Sequence, residues 1–248
     1  MPGPSLETVL ALAAGRLRVA VTRSIKRRSP VLIVATLILG STMPTVVFAN
    51  RKGGVGKTVS TLYTGRWLAR AGQDVTLVDL DPQQGLWDIA ALLGLSNGVF
   101  TKRLRLAPAG VVPPSRPDRW TLVDTPPALE GNLPVLAQAD YLVIPVIPEG
   151  QEVAQLTKFL RALRETQPQH PRLCTLGILP VRYVRQWEIN QASLTTIHQI
   201  GAAHGIPVLE PVPWSKAVGR YSLAGGLWRP LAQRLLAQGL VTANAHAA

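Results

Sequence analysis

Cysteine is almost absent from this sequence of 248 residues, which contains only Cys174. A single thiol excludes an internal disulfide, and it excludes a metal or cluster site built from several thiolates of one chain. Low-complexity tracts are lacking as well, and hydrophobic residues reach 47% against 16% charged residues, which excludes extensive disorder. The length suits one α/β domain or at most two small ones, and a reducing cytoplasm fits the cysteine content.

Acidic residues are scarce too: 14 Asp and Glu stand against 26 Lys and Arg, which gives a formal net charge of +12. Such an excess indicates a polyanionic partner, either nucleic acid or an anionic membrane surface. An ordinary arginine-rich composition, as a high-GC coding sequence produces, would give the same excess without any partner. Charge alone therefore leaves these interpretations open.

Basic and apolar residues dominate the first 42 positions. Residues 1–28 hold six cations and one acid, and their apolar residues recur at helical spacing, as in a basic amphipathic helix at a membrane surface. Val31–Leu39 is an apolar run that resembles a signal-peptide core or a short anchor, although a spanning helix needs roughly 20 residues. A spanning helix extended to Ala49 would include residues 45–49, which are expected to form the first strand of the fold. An upstream extension unrelated to the fold stays open as well.

From Thr45 onward, β-branched runs alternate with helical patterns, which predicts a parallel sheet with right-handed crossovers. We therefore expect a doubly wound, mostly parallel α/β sheet with helices on both faces and ligands at the carboxyl ends of its strands. Residues 95–119 are expected to form an irregular connector in which one short strand is possible. The expected strands are Thr45–Ala49, Val75–Asp79, Trp120–Asp124, Tyr141–Ile147, Leu173–Leu179 and Val208–Pro213. The expected helices are Lys57–Ala71, a helix after Pro82 through Leu92, Asn132–Gln138, Gln151–Glu165, Glu188–His204 and Pro230–Gln238. The expected divisions are 1–42 as an N-terminal extension, 43–240 as the domain and 241–248 as a tail.

The stretch Arg51–Thr58 lies between the first strand and the first helix, where a glycine-rich turn can wrap a phosphate with backbone N–H groups. An ordinary phosphate loop reads GxxxxGK[ST], but here Arg51 occupies the first glycine position and a second lysine, Lys52, follows it. The string KGGVGKT resembles the deviant Walker A motif of the ParA/MinD family of ATPases. This resemblance extends over about residues 43–240 and implies a P-loop fold that binds ATP and Mg²⁺.

Each residue of the loop has an expected role. The glycines permit close backbone approach to the β-phosphate, Lys57 neutralises the β- and γ-oxygens, and the Thr58 hydroxyl suits Mg²⁺. The resemblance implies that Lys52 reaches across a dimer interface to the partner's nucleotide, so that hydrolysis needs two protomers. The expected nucleotide-binding residues are Lys52, Gly53, Gly54, Val55, Gly56, Lys57, Thr58 and Val59.

Two acidic segments follow the loop in the order typical of the same family. Asp79-Leu-Asp81-Pro-Gln is similar to switch I, which implies that Asp81 positions the attacking water and contacts the metal shell, while Asp79 is structural at the strand end. Asp124-Thr-Pro-Pro resembles switch II, where the acid at the end of an apolar strand holds the Mg²⁺ hydration shell. The expected catalytic residues are Lys52, Lys57 and Asp81, and the expected metal-binding residues are Thr58, Asp81 and Asp124.

Four cations in the C-terminal half are candidates for nucleic-acid binding: Arg182, Arg185, Lys216 and Arg220. They lie in the two places where the resemblance puts arginines that bind DNA without sequence preference. Such contacts would be to phosphates and would weaken steeply with salt. Scattered surface cations would look the same in the sequence.

We therefore expect a cytoplasmic, nucleoid-associated ATPase of the ParA type. ATP would close a homodimer, the dimer would bind non-specific double-stranded DNA, and a ParB-like partner would stimulate hydrolysis and release. The alternative is a membrane-attached MinD-like switch or a P-loop tyrosine kinase anchored by residues 1–42. The C-terminal end favours neither alternative, because it lacks a tyrosine cluster and Pro230–Leu240 has only Arg234 as a cation. A nucleotide-binding scaffold without turnover is a third possibility.

Overall fold

Short β-branched and leucine-rich runs supply the strands of one twisted sheet. The structure, a computed structural model, describes residues 44–95, 97–114, 116, 118–219 and 224–245. Within this part the strands are β1 Thr45–Phe48, β2 Asp74–Asp79, β3 Val99–Thr101, β4 Leu104–Leu106, β5 Arg119–Asp124, β6 Tyr141–Val146 and β7 Cys174–Pro180. Their order across the sheet is β3-β4-β2-β5-β1-β6-β7. Neighbouring strands are parallel except for the antiparallel pair β3 and β4 at one edge.

Helices cover both faces of this sheet. The helices in the described residues are α1 Lys57–Arg70, α2 Gly85–Leu92, α3 Leu133–Leu136, α4 Gly150–Glu165, α5 Glu188–His204, α6 Lys216–Gly219 and α7 Arg229–Ala245. Short 3₁₀ turns occupy Glu130–Asn132, Gln167–Gln169 and Ala224–Trp228. Successive residues of a strand face opposite sides of the sheet, which separates two apolar clusters. Leu77 belongs to the cluster that includes residues of α1 and α7, whereas its neighbour Val78 belongs to the cluster that includes residues of α4 and α5. The expected doubly wound α/β fold is confirmed.

Helix α1, which follows the phosphate loop, is held tightly against the sheet. Its Gly65 faces β2, where an added Cβ would lie only 2.7 Å from Leu77 Cδ2. The helix ends at Arg70, and Gly72 follows with a positive φ of 89°, as expected for a left-handed residue after a helix C-terminus. The start of α1 is thereby fixed relative to the carboxyl end of β1.

The structure corrects the expected last strand at Val208–Pro213. This segment runs beside β7 but forms only isolated bridges, at Ile178 with Val208 and at Tyr183 with Pro213. Proline has no N–H to donate, and Pro207, Pro211 and Pro213 interrupt the ladder, so no continuous strand forms.

Other boundaries also differ from the sequence expectations. The connector 95–119 contains two short strands, β3 and β4, where at most one was expected. Only Leu133–Leu136 of the expected helix 132–138 is α-helical, after a 3₁₀ turn, and the last helix continues to Ala245. Within the residues described, no helix is both long enough and apolar enough to cross a membrane. The extension 1–42 lies outside the described residues, as does Arg220.

Candidate nucleotide-binding site

The phosphate loop and the two acidic segments meet at the carboxyl edge of the sheet. Phe48, the last residue of β1, lies beside Asp124 in the parallel register, and Asp124 lies beside Asp79. A Cβ added to Gly53 in the loop would lie 4.0 Å from Pro127 of the segment after β5. Residues that are distant in sequence are therefore brought together where ligands bind in open α/β sheets.

Two glycines give the loop its shape. Gly54 and Gly56 have φ angles of 73° and 83°, a left-handed conformation that glycine adopts without steric cost. At Gly56 a Cβ would also lie 3.1 Å from Val181 Cγ2, so a larger residue would push the loop away from β7. Residues 51–54 are exposed, whereas Val55 is buried and anchors the loop. The exposed backbone thus precedes the N-terminus of α1, where unpaired amide groups and the helix dipole favour an anion.

The two lysines of the loop have different environments. Lys57 is only 6% exposed, and its Nζ donates a hydrogen bond to the carbonyl oxygen of Lys52 at 3.1 Å. Burial lowers the pKa of Lys57, while the charges of Asp124 and Asp81 oppose this effect. The side chain of Lys52 is 45% exposed, and its Nζ lies 3.9 Å from Oε1 of Glu152 in α4. Lys57 is therefore directed towards the two acidic residues of the site, whereas Lys52 lies on the outer surface of the loop.

Asp124 is a fully buried carboxylate at the end of β5. Burial raises the pKa of Asp124 to about 7, and Asp79 adds to the rise, whereas the nearby Thr58 hydroxyl and the Lys57 ammonium oppose it. The Thr58 hydroxyl is the nearby polar group that acts on this carboxylate, and neither carboxylate oxygen accepts a well-formed hydrogen bond in the described part of the chain. A buried carboxylate without partners is suited to a divalent cation or to its hydration water.

A metal ion here would not be held by a cage of protein ligands. No group of three or more His, Cys, Asp or Glu side chains in the described residues could hold one. Mg²⁺ commonly uses one or two protein oxygens together with water and substrate phosphates. The Thr58 hydroxyl and the Asp124 carboxylate fit this pattern, so the residues present suit Mg²⁺ as part of a nucleotide complex.

Asp79, the last residue of β2, and Asp81, which follows the strand, have different tasks. Asp79 accepts hydrogen bonds from the backbone N–H groups of Asp81, at 3.1 Å, and Leu86, at 2.9 Å, so it fixes the turn and the start of α2. Burial raises the pKa of Asp79, and these hydrogen bonds oppose the rise. Asp81 is partly exposed, accepts a hydrogen bond from Gln83 N at 2.9 Å, and is close enough to Lys57 to raise the pKa of that lysine. Asp79 is therefore structural, as expected from the sequence, while Asp81 faces the loop.

Several supporting residues were not found from the sequence. Asn50 is buried and donates to Pro145 O at 2.8 Å, which ties the start of the loop to β6. The Thr125 hydroxyl donates to Phe48 O at 2.9 Å and ties the segment after β5 to β1. Gly85 packs against Thr58, and a Cβ there would lie 3.2 Å from Thr58 Cγ2. Thr125 stands in the recognised switch segment, but nothing in the sequence marked the contacts of Asn50 or Gly85.

A cavity of about 300 Å³ adjoins the phosphate loop. It is lined by Gly56 and Val59 on the loop side and by Pro213, Trp214 and Trp228 on the C-terminal side. Its size and its mixture of apolar, aromatic and basic side chains suit the base and ribose of a nucleotide. Two of the candidate nucleic-acid residues, Arg182 and Lys216, line the same cavity.

The four nucleic-acid candidates therefore do not form a single group in the described residues. Arg182, which has a positive φ of 57°, and Lys216 lie at the cavity, next to the nucleotide position. Arg185 is exposed in the loop before α5, where its carbonyl oxygen accepts a hydrogen bond from Gln191 Nε2 at 2.7 Å. Arg220 lies outside the described residues.

A glycine-rich loop at the carboxyl edge of a doubly wound parallel sheet, with a buried acid on the neighbouring strand, defines the class of P-loop nucleotide-binding proteins. Residues 46–227 match the family model described as the CobQ/CobB/MinD/ParA nucleotide binding domain, and the chain belongs to this family. The expected resemblance to ParA/MinD ATPases is thereby confirmed, and with it the ATPase class.

Relatives and solved structures agree with this assignment. The chromosome-partitioning ATPase Soj of Thermus thermophilus is 33% identical over 171 residues, which cover 56% of this chain and 69% of Soj. The cobyrinic acid a,c-diamide synthase of Mycobacterium smegmatis, solved with an ATP analogue and magnesium, is 26% identical with a TM-score of 0.62, over 78% of this chain and 94% of the synthase. The apo structure of McdA from Cyanothece is 18% identical with a TM-score of 0.60, over 81% of this chain and 99% of McdA, and shows the shared fold. Relatives with such different names indicate that the family alone does not determine what the nucleotide cycle serves.

Proposed function

We propose that this chain is a ParA-like partitioning ATPase. ATP with Mg²⁺ binds at the phosphate loop and joins two protomers, the dimer binds double-stranded DNA without sequence preference, and a ParB-like partner stimulates hydrolysis, which releases the DNA. The chromosome-partitioning ATPase Soj, which is matched over more than two thirds of its length, supports DNA partitioning as the process served. A nucleoid-associated location in the cytoplasm follows from this proposal.

The observation that carries the proposal is the different placement of Lys52 and Lys57. One buried lysine is enough to neutralise the phosphates of a bound nucleotide, and Lys57 holds that position. Lys52 is surplus to this role and lies on the surface of the loop, where an ion pair with Glu152 at 3.9 Å restrains it. The Lys52 side chain is 45% and the Glu152 side chain 16% exposed, and a long, partly solvated pair of this kind contributes about 1 kcal/mol, so Lys52 can leave it for the phosphates of a second protomer.

Within each protomer, the remaining residues have the roles expected of a phosphoryl-transfer site. The loop glycines and Lys57 bind the phosphates, and Thr58 and Asp124 would hold a Mg²⁺, which would supply further neutralisation of the phosphate charge. Asp81, which is partly exposed and faces Lys57, positions the attacking water. The cavity beside Val59 receives the base, with Arg182 and Lys216 at its rim. Residues 43–240 form the catalytic domain in this proposal, and 1–42 are an extension to it.

Arg185 is the best candidate for a DNA contact made by the dimer. It is exposed. Arg182 and Lys216 line the cavity beside the loop, whereas Arg185 does not. A guanidinium in this position can bind backbone phosphates without reading bases. The DNA contact is therefore separable from nucleotide binding by mutation.

The proposal is tested by co-sedimentation with plasmid DNA and by phosphate release, each with ATP and with ADP. Wild type is expected to sediment with DNA to a clearly greater extent with ATP than with ADP. Arg185→Ala should lose this ATP-dependent fraction while keeping basal hydrolysis, whereas the exposed control Arg161→Ala in α4 should behave as wild type. Asp81→Ala should bind ATP but release no phosphate.

Two results would contradict the proposal. The first is DNA co-sedimentation that is the same with ATP and with ADP. The second is unchanged hydrolysis in Asp81→Ala, which would support a scaffold without turnover. If a chain beginning at Met43 lost a membrane association that the full chain shows, the membrane-attached alternative would be favoured.

A further inference from the structure

Arginines line the amino-terminal edge of the sheet, the end opposite to the phosphate loop. Arg103 Nη1 lies 3.0 Å from Asp74 Oδ1 at the start of β2, and Arg119 Nη2, at the start of β5, lies 3.9 Å from Asp74 Oδ2. At the other side of the sheet, Nη2 of Arg172, two residues before β7, lies 3.8 Å from Oδ1 of Asp140. We call this group the arginine edge; its members are Arg103, Arg105, Arg116, Arg119 and Arg172.

Strand register explains how the edge is assembled. Arg119 is paired with Asp74, and Arg105 is paired with Thr76, which lies two residues further along β2. Residues two apart in a strand share a face, so Arg105 and Arg119 flank β2 on the same face of the sheet. Arg116 joins them through an antiparallel bridge to Arg119. Parallel pairing thus collects arginines that are distant in sequence.

The positive charge of this edge is only partly compensated. Asp74 pairs with both Arg103 and Arg119, Arg116 Nε lies 3.4 Å from Asp118 Oδ1, and Arg105 makes no ion pair with a carboxylate in the described part of the chain. Arg119 is crowded as well: its side chain is 16% exposed, and its Nε is buried without a hydrogen-bond partner in that same part. Burial, together with the neighbouring Arg105, lowers the pKa of Arg119, while the charges of Asp74 and Asp118 oppose this effect. An anion at this edge would relieve the repulsion and add hydrogen-bond acceptors.

The edge is separate from the nucleotide site. Asp74 and Asp79 mark the two ends of β2, which at about 3.3 Å per residue lie roughly 17 Å apart, well beyond the screening length of about 8 Å at physiological salt. The chain also enters the fold here, because β1 begins at the same end and Asp140 Oδ2 accepts a hydrogen bond from Thr45 N at 2.8 Å. Residues 1–28, with five more cations than acids, therefore precede the strand that starts at the arginine edge.

We propose that the arginine edge is a second nucleic-acid contact surface, which binds the phosphate backbone of duplex DNA independently of ATP. From β4 to β7 it spans six strands, or about 24 Å at about 4.8 Å per strand, which is long enough to follow a continuous run of backbone phosphates. Arginine rather than lysine dominates it, and the guanidinium fork binds phosphate oxygens in pairs. The surface ion pairs with Asp74, Asp118 and Asp140 are weak enough to be exchanged for phosphate contacts.

This surface has a function distinct from that of Arg185. The contact at Arg185 would respond to the nucleotide, whereas the arginine edge would keep the protein near DNA between cycles. Binding to the edge involves no residue of the phosphate loop. Substitutions at one of the two surfaces should therefore weaken DNA binding at that surface and leave binding at the other unchanged.

The test uses fluorescence anisotropy of the full chain with a labelled 30-base-pair duplex, without nucleotide, over a series of salt concentrations. The test variant carries Arg105→Gln, Arg116→Gln and Arg172→Gln, of which Arg116 is 60% and Arg172 77% exposed. The matched control carries Lys158→Gln, Arg161→Gln and Arg164→Gln, three exposed cations of α4, so its net charge is the same. Circular dichroism and basal ATP hydrolysis establish that both variants are folded.

Wild type and the control should bind the duplex without nucleotide, whereas the test variant should bind about 10-fold more weakly or worse at low salt. The slope of log affinity against log salt should fall by about two to three in the test variant, since each lost phosphate contact removes about 0.9. The proposal is overturned if wild type shows no nucleotide-free binding, or if the control loses as much as the test variant. It is also overturned if the test variant loses binding to phosphatidylserine vesicles but keeps the duplex slope, because the edge would then face a membrane.

The outcomes also separate this inference from the proposed partitioning function. Loss of only the ATP-dependent fraction, in Arg185→Ala, leaves the arginine edge intact. Loss of only the nucleotide-free fraction, in the test variant, leaves the ATP-dependent switch intact.

Discussion

Replacing Asp124 by asparagine should stabilise the nucleotide-free protein in a pH-dependent way. Burial raises the pKa of Asp124 from 3.8 to about 7, so the ionised form is disfavoured in the folded state but not in the unfolded chain. A difference of about three pH units, at about 1.36 kcal/mol each, amounts to roughly 4 kcal/mol. This destabilisation is absent below pH 4, grows as the pH rises to 7, and is complete above pH 7.

An asparagine side chain would have the same shape without a charge to bury, so Asp124→Asn should be roughly 2–4 kcal/mol more stable than wild type at pH 8 and about equal to it near pH 4. Urea unfolding followed by tryptophan fluorescence measures this, because Trp120 and Trp228 are buried. The exposed Asp88→Asn in α2 is the control and should not change the pH dependence. Equal stabilities of Asp124→Asn and wild type across pH 5–8 would refute the claim that burial raises the pKa of Asp124 in the folded protein.

Two further substitutions test the packing around the site. Gly65→Ala would place a Cβ 2.7 Å from Leu77 Cδ2 and should lower the free energy of unfolding by about 1–3 kcal/mol, while Gly131→Ala, with nothing within 4 Å, should be nearly neutral in the same urea titration. Gly85→Ala would place a Cβ 3.2 Å from Thr58 Cγ2 and should weaken Mg²⁺-dependent nucleotide binding by about 10-fold in calorimetry; an unchanged affinity would show that Gly85 does not position Thr58.

The fold was largely predictable because its central strands are short, buried and β-branched. Runs such as Thr45–Phe48 and Tyr141–Val146 are short, apolar and separated by helical patterns, which is typical of the buried central strands of a parallel sheet. The segment Val208–Pro213 has the same apolar character but alternates with prolines, which the strand prediction underweighted. The hairpin of β3 and β4 was missed because each strand has only three residues, which gives too little pattern to detect.

The candidate site was predictable where one short segment carries the chemistry and unpredictable where distant segments meet. The loop, Asp81 and Asp124 each belong to a contiguous motif, and the structure brings all three to one edge of the sheet. The partner of Lys52, Glu152, comes from a helix about a hundred residues later, and no local pattern marks it. The arginine edge is another such case, because strand pairing rather than sequence spacing assembles it.

The central claim is that ATP joins two protomers through Lys52. The most direct test is light scattering after size exclusion, with ATP and Mg²⁺, in an Asp81→Ala background that retains ATP. The mass should double when Lys52 is present, and it should also double in the control Arg51→Ala, which removes a neighbouring exposed cation of the same loop. With Lys52→Ala, the mass should remain that of one chain although ATP is bound. A dimer of undiminished stability in Lys52→Ala would contradict the account.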